Sequence, residues 1–314
     1  MTETNTKITA GFYNLENLFD IIDDEDTFDE DFLPSSDKKW TKKRYLNKLR
    51  KLSFAISNIG LEIANKPPAI MGLAEVENRQ VIEDLLDAKH LKKLPYSFVH
   101  YDSPDERGID VAFIYDTTQF KVTHSQVYPL HLLDDQGNKD HTRDILLVQG
   151  LIDETPINVL INHWPSRRKG SNETEDKRLI ASKKVESIIE SLKKEDENSR
   201  IIIMGDFNDG PENKSMKNLV NNQDIFNPMS TLKSPDKGSV SYKLEWNIFD
   251  QILFSTNFFE RDSLSFESAH IFDADFLKLF NGKYKGIPYR TYVGKKYKGG
   301  YSDHFPVYII LEKN

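Results

Sequence analysis

The segment Ile-Ile-Ile-Met-Gly-Asp-Phe-Asn-Asp-Gly-Pro, residues 201–211, joins a buried-strand signal to a turn signal. Three consecutive β-branched residues favour a strand covered on both faces, and the Gly, Asn, Asp and Pro that follow end it. Asp206 and Asn208 are two residues apart, so on an extended backbone their side chains leave the same face. One supplies a carboxylate, the other an amide that both donates and accepts. Asp and Asn favour turns in any protein, so this strand end alone does not establish a site. The deciding question is how many other apolar strands end in the same way.

Working outward, Lys7 to Leu18 reads as a strand, and Asp20 to Asp37 as a solvated acidic loop. Tyr45, Leu49, Leu52, Ile56 and Ile59 recur at helical spacing and predict a helix over Lys38 to Ile59. Ala69 to Ala74 is a short apolar strand ending at Glu75, and Val81 to Leu91 a helix. Tyr96 to His100 and Ile109 to Tyr115 flank a turn at residues 103–108, and further strands are expected at Val122 to Leu130, Ile145 to Ile152 and Ile157 to His163. A charged helix from about Glu175 to Lys194 has a buried face of Leu179, Val185, Ile188, Ile189 and Leu192. A short helix near Lys214 to Val220 follows the opening segment, then strands at Ile248 to Phe254, Ser265 to Ile271 and His304 to Leu311. Strands outnumber helices and many neighbours look hairpin-connected. The expected fold class is therefore α/β, with two mixed sheets packed face to face and helices outside.

The chain of 314 residues has no repeat, no low-complexity tract and no Gly/Ser linker, so one domain over residues 1–314 is expected. No apolar run approaches the roughly 18 residues of a membrane span. Met1 to Lys7 is polar with no apolar stretch after it, so no signal peptide is expected. The compartment stays open: secreted or periplasmic if a leader had been removed, cytoplasmic otherwise. Cysteine is absent, which excludes disulfides and thiolate metal sites. The net charge of −8 argues against a protein that coats DNA nonspecifically, but not against a locally basic cleft.

Polar groups recur at separate strand ends: Asn14 and Glu16, Glu75, Asn162 and His163, Asp206 and Asn208, Asp250, and Ser302-Asp303-His304. Carboxylates after buried strands suit a hard dication such as Mg²⁺, which takes oxygen ligands and keeps several waters. There is no phosphate loop, dinucleotide fingerprint or His-Glu-x-x-His pair, so any chemistry is gathered from distant segments.

In this order, Asn14-x-Glu16, Glu75, His163, Gly205-Asp206-Phe207-Asn208, Asp250 and Ser302-Asp303-His304 resemble the endonuclease/exonuclease/phosphatase family. The resemblance runs from Phe12 to about Val307. It implies a four-layered α/β sandwich of the DNase I type and a Mg²⁺-dependent phosphodiesterase, with Mn²⁺ as a substitute. It further implies Glu75 as principal metal ligand, with Asn14 and Glu16 supporting the ion or its waters and Asp303 beside it. The family more often has Asp where Glu16 stands. Asp206 and Asn208 would contact the scissile phosphate and orient the attacking water. His304 would complete the site, oriented by Asp250, and His163 matches the second histidine of DNase I-like members.

Cationic and aromatic residues are expected to complete a phosphate clamp. Arg143 is the first candidate, with Arg107 behind it and Arg167, Arg168 and Lys169 flanking the phosphate path. The loop Lys283 to Lys298 alternates lysines with tyrosines, among them Tyr292, a mixture suited to nucleic acid. The expected substrate is nucleic acid, cleaved by a DNase I-like endonuclease. The alternative is a phosphatase or phospholipase C-like enzyme acting on inositol phosphates or lipid headgroups. The oligomeric state is open, with a monomer favoured.

Overall fold

The computed structural model describes residues 6–134, 136–167, 170, 174–261 and 263–313. Two six-stranded mixed sheets make up the centre. In the first, the order is Leu264–Ile271, Val307–Lys313, Lys7–Leu18, Ile70–Val76, Asp110–Asp116, Tyr96–His100. In the second it is Ile225–Phe226, Asp250–Ser255, Ile201–Asp206, Thr155–His163, Ile145–Ile152, Lys121–Tyr128. Each sheet has one parallel pair at its middle: Lys7–Leu18 with Ile70–Val76, and Thr155–His163 with Ile201–Asp206. All other neighbours are antiparallel. This is the expected face-to-face arrangement.

The run Ile201-Ile202-Ile203-Met204 shows why a continuous apolar strand is needed. Ile202 and Met204 point into the core between the sheets, with Phe12, Leu73, Leu146 and Val159. Ile201 and Ile203 point the other way, against Val185, Ile188 and Ile189 of the helix Glu175–Glu195. Side chains alternate along a strand, so a strand in the middle of four layers buries both of its faces. Each fully buried aliphatic side chain is worth about 1.5–3 kcal/mol relative to exposure. The helices Lys42–Asn58 and Arg79–Leu86 cover the first sheet through Leu49, Leu52, Ile56, Val81 and Ile82.

Gly205 is required by the parallel neighbour. A Cβ there would lie 2.4 Å from the backbone oxygen of Asn162. Between the sheets, Gly72 lets Met204 approach until its sulfur lies 3.2 Å from the Gly72 nitrogen. The acidic stretch 20–37 contains only the 3₁₀ turn Glu30–Phe32, in keeping with a loop. The last strand begins at Val307, not His304, which leaves His304 on the connection. No helix among the described residues is long and apolar enough to cross a membrane.

Candidate active site

The two parallel pairs end side by side, and their ends carry the polar groups. Asn14 and Glu75 come from the first sheet; His163 and Asp206 are register partners in the second. Asp250 pairs with Asp206 from the antiparallel side. The backbone bends sharply where each strand stops. Glu16, Asn17, Glu75 and Asn208 all have positive φ, between 50° and 62°. Such left-handed non-glycine residues cost of order 1–3 kcal/mol each and concentrate where a side chain must be aimed. At Glu75 the bend coincides with a register shift between Ala74 and Val76, which turns the carboxylate towards the other sheet. Asn208 therefore does not share an extended face with Asp206. It lies one tight turn on, and its backbone N–H donates to Asp206 Oδ1 at 2.9 Å.

Asp206 sits at the centre. Asn14 Nδ2 donates to its Oδ2 at 3.0 Å, while His163 Nε2 and His304 Nε2 stand 3.8 and 4.0 Å from the same oxygen. Burial pushes the Asp206 carboxyl up to about 6, and Asp250 adds to this while His304, the Asn208 N–H and Asn14 oppose it. His304 Nδ1 lies 2.7 Å from Asp250 Oδ2, and Asp250 is fully buried. Burial alone would lower the imidazole, but Asp250, Asp206 and Asp303 outweigh it and hold His304 well above its ordinary value. Ser302 fixes the loop: its Oγ donates to Asn14 O at 2.7 Å and accepts from His304 N at 3.1 Å. Asn208 Nδ2 donates to Trp164 O at 3.0 Å, and the Trp164 ring packs edge-on against Phe207.

The donors present suit a divalent metal. Glu75 accepts from Asn17 N with Oε2 at 2.8 Å, while its Oε1 stands 3.9 Å from His163 Nε2, outside hydrogen-bond reach. Asp206, Asp250 and His304 offer ligand atoms within 4.8 Å of one another. The 2.7 Å contact of His304 with Asp250 is a charge-assisted hydrogen bond, however. Metal–ligand lengths of about 2.0–2.2 Å leave no place for an ion between two atoms that close. Glu75, Asp206 and Asp303 are the carboxylates left to meet an ion.

Several expected positions have other partners. Glu16 is buried; it accepts from Thr291 N at 2.6 Å and meets Arg290 Nε at 3.4 Å and Lys48 Nζ at 3.9 Å. Burial and then Asp303 push its carboxyl up to about 6 against those cations. It therefore anchors the Arg290–Thr291 segment and does not present itself to a metal. Asn14 likewise turns its amide on Asp206. Arg143 is buried, with Nη1 on Asp105 Oδ2 and Nη2 on Trp164 O, both at 2.9 Å, so it braces the site from behind and is not a phosphate clamp. Arg167 spends its donors on Asn208 O, Asp209 and Asn213 and stiffens the turn after Asp206. Tyr292 is buried against Phe32 and Trp40, with its hydroxyl on Lys38 O, and is not available to stack on a base. Arg168 and Lys169 lie outside the described residues.

Arg107 does reach the site: Nη2 donates to Asn17 Oδ1 and stands 4.0 Å from Glu75 Oε2. Two cations escaped sequence reasoning. Arg290 holds Asp303 Oδ2 at 2.6 Å, with its own side chain 44% exposed. Burial opposes ionisation of Asp303, but His304, Arg290 and Lys48 keep its carboxyl below the usual range. Lys48 is fully buried, donating to Thr291 Oγ1 and Tyr301 O at 2.6 Å each. Its signal was present: it sits between Tyr45 and Leu52 on the apolar face of its helix, where a lysine needs an internal partner.

A sequence profile of the endonuclease/exonuclease/phosphatase family matches residues 9–313. The chain belongs to that family. It is a phosphoester hydrolase with the DNase I-like fold. Comparison with curated proteins gives no match to the sequence. Among solved structures, an endonuclease/exonuclease/phosphatase family protein from Bacteroides thetaiotaomicron is 16% identical, with a TM-score of 0.61 and 99% of each chain covered. D. rerio TDP2, in complex with a single-strand DNA product, is 14% identical with a TM-score of 0.57, covering 98% of this chain and 99% of its own. The human nocturnin catalytic domain with a bound sulfate is 13% identical with a TM-score of 0.58, covering 98% and 95%. At these identities the structures establish the fold they share with this protein.

Proposed function

We propose that this enzyme is a Mg²⁺-dependent phosphodiesterase that hydrolyses nucleic-acid phosphodiester bonds, as a DNase I-like endonuclease. The observation that carries the reading is the Asp250–His304–Asp206 array facing Glu75 and His163 across the two sheet ends. Glu75 and Asp303 would hold the ion, which when bound supplies Lewis acidity to a phosphate oxygen. Asp206, its carboxylate fixed by Asn14 and the Asn208 N–H, would orient and deprotonate the attacking water. His304, kept charged by Asp250, would donate from Nε2 to a phosphate oxygen, and His163 would donate from the opposite side. Asn208, Arg107 and Arg290 would complete the clamp. The single-strand DNA bound by the TDP2 relative and the sulfate bound by nocturnin support a phosphodiester substrate on this scaffold.

The test is hydrolysis by wild type, Glu75→Ala and His304→Ala with Mg²⁺ or Mn²⁺, with and without chelator. Substrates are plasmid DNA, single-stranded DNA, RNA, a chromogenic phosphodiester and an inositol polyphosphate. Metal-dependent nicking of plasmid, reduced about a hundredfold or more in both variants, is the expected result. Intact nucleic acids with phosphate released from the inositol compound would replace this reading with a phosphatase.

A further inference from the structure

A second cluster of ligating side chains lies away from this site, at the base of the hairpin between Tyr96–His100 and Asp110–Asp116. His100 Nε2 is 3.1 Å from Asp110 Oδ2, and His100 Nδ1 is 3.8 Å from Asp102 Oδ1. One ligand atom from each of the three falls within 4.8 Å of the others. An independent observation comes from the second sheet. Asp144 is 8% exposed, and no donor or cation among the described residues meets its carboxylate. It lines the same narrow cleft as Asp110 and Ser103, and the Ser103 hydroxyl also has no partner there. Two buried carboxylates thus face one imidazole. Isolated buried carboxylates are among the costliest groups a fold can carry, and they are found paired with cations or on metals.

We propose that His100, Asp102, Asp110 and Asp144 bind a divalent transition-metal ion, Zn²⁺ by its donor set, at the base of this hairpin. One imidazole nitrogen with carboxylate oxygens suits Zn²⁺ better than Mg²⁺, which takes oxygen ligands and retains its waters. The ion joins the two sheets, because Asp110 belongs to the first and Asp144 precedes Ile145–Ile152 of the second. The hairpin loop above it carries Asp105, which holds Arg143, and Arg107, which stands over Glu75. Metal at the hairpin base fixes that loop against the catalytic face.

The test reads binding and stability, not turnover. Chelator-treated full-length protein is titrated with Zn²⁺, desalted and assayed for retained zinc, and its Tm is measured with and without the metal. Wild type and Glu75→Gln are expected to retain the same zinc equivalent, and His100→Gln to lose it. Zn²⁺ should raise the wild-type Tm. Asp144→Asn should raise the Tm of the metal-free protein, remove most of the Zn²⁺-induced rise and weaken binding at least tenfold. The proposal is overturned if His100→Gln retains zinc as wild type does, or if Glu75→Gln alone abolishes it. It is equally overturned if Asp144→Asn raises Tm by the same amount with and without Zn²⁺, or if Ca²⁺ is retained in preference to Zn²⁺.

Discussion

His304 Nδ1 lies 2.7 Å from Asp250 Oδ2, so the imidazole has one tautomer and turns Nε2 towards Asp206 and Asp303. The neighbouring carboxylates hold its pKa well above the ordinary 6.5 despite burial. A raised folded-state value means that the associated stability is fully present below pH 6.5 and is lost as pH rises through the folded value. Asp250→Asn removes the strongest of the raising partners. It is expected to lower kcat by about 10²-fold and to move the alkaline limb of the kcat–pH profile to lower pH. An unchanged limb would mean that His304 does not set it.

Arg143 and Arg290 should separate cleanly by readout. Arg143→Met leaves Asp105 buried without its cation, which should destabilise the protein by about 3–5 kcal/mol. Arg290→Met frees Asp303 at a half-exposed position; it should cost little stability but about tenfold in kcat/KM. Denaturant midpoints and steady-state kinetics of both variants check this, and the reverse pattern would return Arg143 to the phosphate.

Gly205→Ala places a methyl 2.4 Å from the Asn162 carbonyl oxygen on the adjacent parallel strand. Backbone cannot move aside as a flexible side chain can. The variant should lose at least 1–3 kcal/mol, the usual cost of overpacking a core, as measured by urea unfolding. Gly210→Ala, whose added carbon meets nothing closer than 3.6 Å, is the control and should unfold near the wild-type midpoint.

His270 offers a pH test remote from the site. It stacks on Tyr308 at 4.8 Å between ring centroids and contacts Ser268 Oγ at 2.8 Å. Burial, followed by Lys237, lowers its pKa below 6.5. The unfolded chain therefore binds the proton more tightly, and the folded state should lose stability as pH falls below 6.5. His270→Phe should flatten that part of the Tm–pH curve. A slope identical to wild type would remove His270 from the acid response.

The strand ends were legible because their signals are local. A β-branched run followed by Gly-Asp-Phe-Asn, or a Ser-Asp-His before an apolar run, specifies strand and turn within a few residues. Asp206, Asp250 and His304 do converge. Glu75 shows the limit of that reading: its position at a strand end was apparent, but the left-handed bend that aims it was not.

By itself the sequence determined the two mixed sheets, the helices outside them and the ordered polar strand ends, all of which follow from periodicity and turn chemistry. Only the tertiary structure decided which charges face the cleft. Arg143, Arg167 and Tyr292 are consumed by partners inside the fold, whereas Arg290 comes forward. The physical reason is reach. A long side chain takes whichever partner lies within a few ångströms, and those partners are remote in sequence, as with Glu16 and Thr291, 275 residues apart. No local pattern encodes that choice, because burial and pairing of a charge depend on what the completed fold sets around it.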